Sequence, residues 1–408
     1  VDACPARVPI PDFIQRISED NIQGAADLIY IACPLGRICG TACPTADLCE
    51  GSCVLLSLGE RAVRIGALQA FTTGNAEEPC KGSLAAGAPR VAVIGGGPAG
   101  LGAAVQLERL GVEVHLFERA KELGGLAGRV IPEHHLSQPV VDHDISRILT
   151  GNLHLHLDSD VDEKLFARIK SDYEGVILAI GQQTNPDPGI PGVQSQGVIQ
   201  ALDYLSRART AHTREGTIPL LGSTVVVIGG GNVALDTAAV AKRNGAERVI
   251  VLYRRSLVEM PAWEYEYIEA CALGVEFRWF SVADRIVSEK GKVRGVEVRH
   301  MRYTTETRGG RRWVEPDPDK KPTFLDCDAV VLALGQSSEL DLLKWMGIAE
   351  NKGLAAVEEG RFQTSNPGVF AAGEIRSGGS SIVGSMASGM QAALEAHTWL
   401  TGKGGARG

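Results

Sequence analysis

The stretch VAVIGGGPAG, residues 91–100, decides the fold. A short apolar run rich in β-branched residues enters Gly95-x-Gly97-x-x-Gly100, and helical spacing follows to about Leu110. In such a strand–turn–helix unit the first glycine permits the tight turn. The second lets a pyrophosphate approach the backbone, and the third lets the helix pack on the strand. The free N–H groups and the positive dipole end of the helix then hold the phosphates. Gly95, Gly96, Gly97, Pro98, Ala99 and Gly100 are therefore candidate cradle residues. A second strand, VEVHLFE at 112–118, ends on Glu118, 23 residues after Gly95. A carboxylate there accepts hydrogen bonds from ribose hydroxyls. A tight turn beside a solvated acid is the bland alternative.

The pattern returns downstream. TVVVI (224–228) leads into Gly229, Gly230, Gly231, Asn232, Val233 and Ala234, a helix to about Asn244, and RVIVLYRR (248–255). This strand ends on Arg254 and Arg255 rather than an acid. A carboxylate repels the 2′-phosphate of NADP, whereas guanidinium groups bind it bidentately. The second site thus leans to NADPH, with NADH held by other groups as the other reading. Two further apolar runs end in glycine, GVILAIG (175–181) and AVVLALG (329–335). Two strand–glycine–helix–strand units imply an α/β fold with two Rossmann-like dinucleotide-binding domains. One site for FAD and one for NAD(P), with hydride passing between them, accounts for both. Such chemistry belongs to the cofactors, so no catalytic side chain is assigned.

Near the end stand GVFAAGE (368–374), Gly378-Gly379-Ser380-Ser381 and a helical run to about Leu400. This resembles the late FAD-contacting segment of two-dinucleotide flavoproteins. The resemblance makes the first motif the FAD site and the second domain an insertion.

Composition narrows the function classes. Lys plus Arg is 41 and Asp plus Glu is 49, a net charge of −8, which disfavours a nucleic-acid binder. At 44% hydrophobic and 22% charged residues the chain is globular. Glycine, 49 of 408 residues, is well above the average of about 7% and interleaves with Val, Ile and Ala. No apolar run reaches the ~18 residues of a membrane span, and there is no charged-then-apolar leader. Cytoplasmic localisation is expected, with a removed upstream segment left open because the chain begins at Val1.

Six of the nine cysteines, Cys4, Cys33, Cys39, Cys43, Cys49 and Cys53, lie in the first 53 residues; Cys80, Cys271 and Cys327 are scattered. A secreted disulfide framework belongs to small-cored chains, so this cluster points to metal. Cys-x3-Cys places two thiolates about one helical turn apart. Beside a flavin, an Fe–S centre suits these thiols; zinc is the other reading. The absence of Cys-x2-Cys removes a thioredoxin-reductase-type redox disulfide. Residues 1–70 read as mostly helical, with Pro11 and Asp12 at a helix start, and 71–89 as a linker.

CGTACPTADLCEGSC (39–53), VAVIGGGPAGL, VVVIGGGNVALD and VFAAGE together resemble the electron-input module shared by dihydropyrimidine dehydrogenase and the small subunit of glutamate synthase, from Val1 to about Leu400. The resemblance implies a helical domain for [4Fe–4S] clusters ahead of the FAD and NADPH domains. One cluster would take Cys4, Cys43, Cys49 and Cys53. Cys39 matches a non-ligand, and Cys33 has no carried-over role. The second cluster would take Gln69 and three cysteines upstream of the Cys4 position, which these residues do not include. Glutamine at 69 is like the pyrimidine enzymes; Met260-Pro261-Ala262 is like glutamate synthase. FAD would be lined by Gly95 to Gly100, Glu118, Gly124, Gly125, Leu126, His135, Val161, Gly373, Glu374, Ser380 and Ser381. NADP would be lined by Gly229 to Ala234, Arg254, Arg255, Ala333, Leu334 and Gly335. Two departures are His135, where an Arg is usual, and Glu374, where an Asp is usual. The expected domains are 1–88 (Fe–S and linker), 89–200 (FAD, first part), 201–335 (NADPH) and 336–408 (FAD, second part). The implied electron acceptor is a partner subunit, of the FMN pyrimidine-reductase or glutamate synthase large-subunit kind.

Overall fold

The computed structural model describes residues 1–77, 84–149, 152–182, 184–213, 217–308 and 311–404. Cys80 and the middle of the expected linker lie outside the described residues. The N-terminal part is helical: α1 (Ile10–Ser18), α2 (Ile22–Ala32), α3 (Gly36–Ala42), α4 (Val54–Ser57) and α5 (Ile65–Gly74). Pro11 sits in the first turn of α1, where a missing N–H costs nothing, and the Asn21 side chain accepts from Gly24 N to cap α2. Gly40 on α3 lets α5 approach backbone to backbone. A Cβ there would lie 2.6 Å from Ala70 N. That approach brings Gln69 of α5 against the start of α3.

The first dinucleotide unit follows as β1 (Arg90–Ile94), α6 (Pro98–Arg109), β2 (Glu113–Phe117), α7 (Gly125–Arg129), α8 (Gln138–Ile148), β3 (Leu153–His156), α9 (Glu163–Asp172) and β4 (Gly175–Leu178). The inserted chain then builds β5 (Val198–Gln200), α10 (Ala201–Thr213), β6 (Thr224–Ile228), α11 (Asn232–Arg243), β7 (Arg248–Leu252), α12 (Glu264–Ala272) and β8 (Glu276–Arg278). An antiparallel sheet of β9 (Ser281–Glu289), β10 (Lys292–Arg308), β11 (Arg311–Pro316) and β12 (Thr323–Asp326) precedes β13 (Ala329–Leu332). β10 and β11 pair antiparallel as a hairpin. The chain closes with α13 (Leu340–Trp345), the small pair β14 (Glu350–Asn351) and β15 (Leu354–Ala355), β16 (Val369–Ala371), α14 (Glu374–Ser377) and α15 (Ile382–Gly404).

Two parallel sheets result, in the orders β16-β4-β1-β2-β3 and β5-β13-β6-β7-β8. Each glycine motif follows the strand at which the strand order reverses, β1 or β6. Ligands of open parallel sheets bind at that point, beyond the strands' carboxyl ends. Strands buried on both faces explain the continuous apolar runs: Val91 to Val93 and Val225 to Val227 are fully buried.

The chain forms two compact units, one of 1–128, 134–184 and 337–408, the other of 129–133 and 185–336. The helical N-terminal segment belongs to the same unit as the first sheet. The inserted unit begins at residue 185 rather than 201, because Val198–Gln200 pair with β13 in its sheet.

Candidate functional site

At the head of α6, two of the three motif glycines answer to the protein's own backbone. A Cβ on Gly95 (φ +108°) would sit 2.4 Å from Ala179 O, and one on Gly100 would sit 1.8 Å from Gly95 O. Gly97 differs. Its φ of −79° suits any residue, and the nearest atom to an added Cβ is Gly125 Cα at 3.7 Å. The protein's own packing does not require glycine there, which leaves the main chain open to close approach. Gly96 N donates to Glu118 Oε2 at 2.7 Å and Ala120 N to Glu118 Oε1 at 2.8 Å. These amides fix the buried carboxylate, and the remaining lone pairs can accept from ribose hydroxyls. Gly124 N donates to Gly96 O, which seats Gly124, Gly125 and Leu126 beside the turn.

The late segment meets this cradle. Gly373 (φ +70°) lies so close to Ala99 that an added Cβ would be 2.8 Å from the Ala99 Cβ, and its N–H donates to Ser388 Oγ. Glu374 opens α14 and accepts from Ser380 N at 3.2 Å; burial raises its pKa. Ser381 Oγ accepts from Gly384 N at the start of α15. Residues 95–100 and 373–374, far apart in sequence, are thus brought together. Val161 places its side chain in the core beside Phe117 and Phe166, and the His135 ring lies 4.2 Å from that of His134. Gly389 and Gly102 were not singled out by sequence. A Cβ on Gly389 would lie 1.8 Å from Ala99 O and one on Gly102 2.4 Å from Met386 O, so these glycines let α15 press on α6.

The second cradle repeats the geometry. A Cβ on Gly229 would be 2.3 Å from Ala333 O, whereas one on Gly231 meets nothing within 4 Å at a φ of −93°. Gly230 lies under the Tyr253 ring. Asn232 Oδ1 accepts from Trp263 N, tying the head of α11 to the start of α12. Ala234 is buried, Val233 and Leu334 are exposed, and Gly335 has φ +90°. The two arginines separate. Arg254 is exposed, but Arg255 is 6% exposed and donates from Nε to Arg312 O. Arg255 thus supports the β10–β11 hairpin, while Arg254 is exposed.

The thiols gather as well. Burial and then the neighbouring Cys4 push Cys49 up to about 11, with Cys43 adding to the rise. Cys4 is raised by burial and by Cys33 and Cys43. Hydrogen bonds with Cys33 and Cys43 hold Cys39 well above the ordinary thiol range. Thiols that resist ionisation together are a donor set that a cationic metal centre relieves. Cys53 precedes the first residue of α4. Gln69, 7% exposed, donates from Nε2 to Gly36 O at 2.7 Å, so of its two polar side-chain atoms it is Oε1 that could ligate a metal. Cys33 Sγ lies 3.6 Å from Met386 Sδ on α15. Asp144 is a residue that sequence reasoning missed. Fully buried on α8, it accepts from Ile38 N at 2.8 Å and Tyr30 Oη at 3.0 Å, joining the thiol-bearing helices to the first sheet's unit.

Comparison with known proteins matches these parts in turn. Residues 89–397 fit the family described as pyridine nucleotide-disulphide oxidoreductase. The chain belongs to that family. Residues 1–80 of this oxidoreductase fit the description dihydropyrimidine dehydrogenase domain II, 4Fe-4S cluster. The chain is 31% identical to a Salmonella typhimurium NAD-dependent dihydropyrimidine dehydrogenase subunit, PreT, over 98% of this chain and 90% of that one. It is 34% identical to the NADPH glutamate synthase small chain of Halomonas elongata, over 95% and 85%. A Mycobacterium tuberculosis FprA structure with NADPH superposes with a TM-score of 0.66 at 18% identity, covering 78% of this chain and 86% of that one. FAD, NAD(P)H and a [4Fe–4S] centre are accordingly the cofactors of this oxidoreductase. Among the described residues no helix is long and apolar enough to cross a membrane.

Proposed function

We propose that this oxidoreductase is the electron-input subunit of a cytoplasmic pyrimidine-reducing enzyme, taking electron pairs from NADPH and delivering them through FAD and iron–sulfur centres to a catalytic partner subunit. Gln69 carries the choice of partner. Its Nε2 donates to the Gly36 carbonyl in a buried setting, a role an ionised glutamate cannot fill. Met260-Pro261-Ala262 and the glutamate synthase relative favour a second reading, a glutamate synthase small chain.

FAD held by the first cradle would supply the link between two-electron chemistry at the nicotinamide and one-electron chemistry at a [4Fe–4S] centre held by the thiols. The chain's residues bind and orient. Within the Gly95–Gly100 turn, Gly97, Ala99 and Gly100 present main-chain N–H groups to the FAD pyrophosphate, while Gly95 N donates to Phe117 O and Gly96 N to Glu118, which holds the ribose. In the Gly229–Ala234 turn, Gly230, Gly231, Asn232 and Val233 do the same for the nicotinamide dinucleotide, while the Gly229 and Ala234 amides donate to Leu252 O and Gly231 O, and Arg254 meets the 2′-phosphate. Cys4, Cys43, Cys49 and Cys53 hold one cluster, and Gln69 belongs to a second.

The test is co-purification with the partner, followed by NADPH-dependent assay with uracil against 2-oxoglutarate plus glutamine. Reduction of uracil is expected. Glutamate formation selects the second reading, and turnover with neither overturns both. Arg254→Ala is expected to raise the KM for NADPH about tenfold, the loss of a charge-assisted contact, and to leave that for NADH unchanged. Equal effects on both nucleotides would remove the 2′-phosphate role.

A further inference from the structure

The free edge of the first sheet carries chemistry that dinucleotide binding leaves unused. Along β2, Glu113, His115 and Phe117 alternate onto one face. The parallel register sets His154 beside His115 and His156 beside Phe117. Glu113 Oε1 lies 3.0 Å from His115 Nε2 and 3.6 Å from His154 Nε2. The three residues offer ligand atoms that all lie within 4.8 Å of one another. The His115 and His154 rings stack with centroids 4.4 Å apart, and Tyr173 packs edge-on against His115.

We propose that Glu113, His115 and His154 form a binding site for a divalent transition-metal cation of the zinc type, with His156 orienting His115. Two imidazoles and a carboxylate are a borderline donor set that suits such ions. Zinc–ligand bonds of about 2.0–2.1 Å in a tetrahedron place neighbouring donors about 3.3–3.4 Å apart. The observed 3.0 and 3.6 Å from Glu113 bracket that spacing, and because the two rings stack at 16°, turning the exposed His154 ring about its side-chain bonds is the movement that aims both Nε2 lone pairs at one ion. His154, with 53% of its side chain exposed, leaves a solvent-facing approach for the ion and its fourth ligand. His115 Nδ1 lies 3.1 Å from His156 Nε2. A ligating histidine ordinarily donates its other ring N–H to an acceptor, which fixes tautomer and ring plane, and a His156 ring protonated on Nδ1 offers Nε2 as that acceptor. Arg90 Nε, 3.7 Å from Glu113 Oε1, is the cation already near this carboxylate, and the metal shares the carboxylate with it. Zinc has no redox chemistry, so the site acts as a clamp between β2 and the edge strand β3.

The experiment titrates Zn2+ alone into anaerobically purified holoenzyme whose iron and flavin contents are known. One saturable site is expected, with nitrogen and oxygen but no sulfur in the zinc X-ray absorption shell. His154→Ala, at an exposed position, is expected to weaken it at least tenfold with iron and flavin unchanged. His156→Ala is expected to weaken it about tenfold, in the range for orienting partners. His212→Ala, exposed on α10, serves as the unaffected control. A sulfur shell, wild-type affinity in His154→Ala, or the absence of a saturable site overturns the proposal.

Discussion

Gly231→Ala yields a folded, flavin-loaded protein whose KM for NAD(P)H is raised about 10- to 100-fold, equivalent to roughly 1.4–2.8 kcal/mol of lost binding. The expectation rests on what the glycine does not do. At φ −93° alanine is unstrained, and its methyl would meet no protein atom within 4 Å. Any penalty must therefore come from a ligand held against the backbone. Gly97→Ala tests the same logic at the first cradle: a folded protein that loses its flavin. Gly100→Ala is the contrast, because its methyl would fall 1.8 Å from Gly95 O and the helix could not seat on the strand. Melting temperature, flavin absorbance and NAD(P)H kinetics measured on the three variants separate the roles. Unchanged NAD(P)H kinetics in Gly231→Ala would mean the nucleotide lies elsewhere.

The motif glycines were legible because one residue type answers two demands that fall at fixed spacing. The strands beside them were legible because burial on both faces makes continuous apolar runs. Other features leave no such trace. β5 is three residues long and its pairing with β13 is non-local, so Val198–Gln200 read as the end of one domain when they belong to the next. Arg254 and Arg255 are identical as letters. Only the fold, through the bond from Arg255 to a hairpin carbonyl, buries one while the other is exposed. Asp144 reads as one more acid on an amphipathic helix, since its partners Ile38 and Tyr30 are more than 100 residues away. Gly102 and Gly389 sit mid-helix, where glycine is ordinarily a weakness. Their value is a helix–helix approach that sequence periodicity does not encode. The thiol cluster was legible as a density of cysteines. The way Cys4, far from the others in sequence, joins Cys43 and Cys49 became visible only once α1 to α3 folded back on themselves.

Cys43→Ser is expected to uncouple the two halves of the electron path. Cys43 is the proposed ligand whose presence raises the pKa of both Cys4 and Cys49, so its removal takes away a thiol close to two others of the set. Serine keeps the size but not the soft donor that iron–sulfur centres need. The anaerobically purified variant should lose the iron and sulfide of that cluster, with the broad absorbance near 400 nm reduced to the flavin's own. NAD(P)H oxidation by a dye that draws electrons straight from the flavin should persist within about twofold, because the two glycine cradles lie on other elements. Delivery to the one-electron acceptor or partner subunit should fall at least 100-fold, about 2.7 kcal/mol or more on the transfer barrier. Cys39→Ala provides the discrimination. Its thiol touches Cys33 and Cys43 within the same buried group but is not a proposed ligand, so iron content should stay near wild type. Loss of iron in Cys39→Ala with retention in Cys43→Ser would reverse the assignment of ligand and neighbour. Full delivery by an iron-free Cys43→Ser protein would mean that electrons leave the flavin by a route that does not pass through these cysteines.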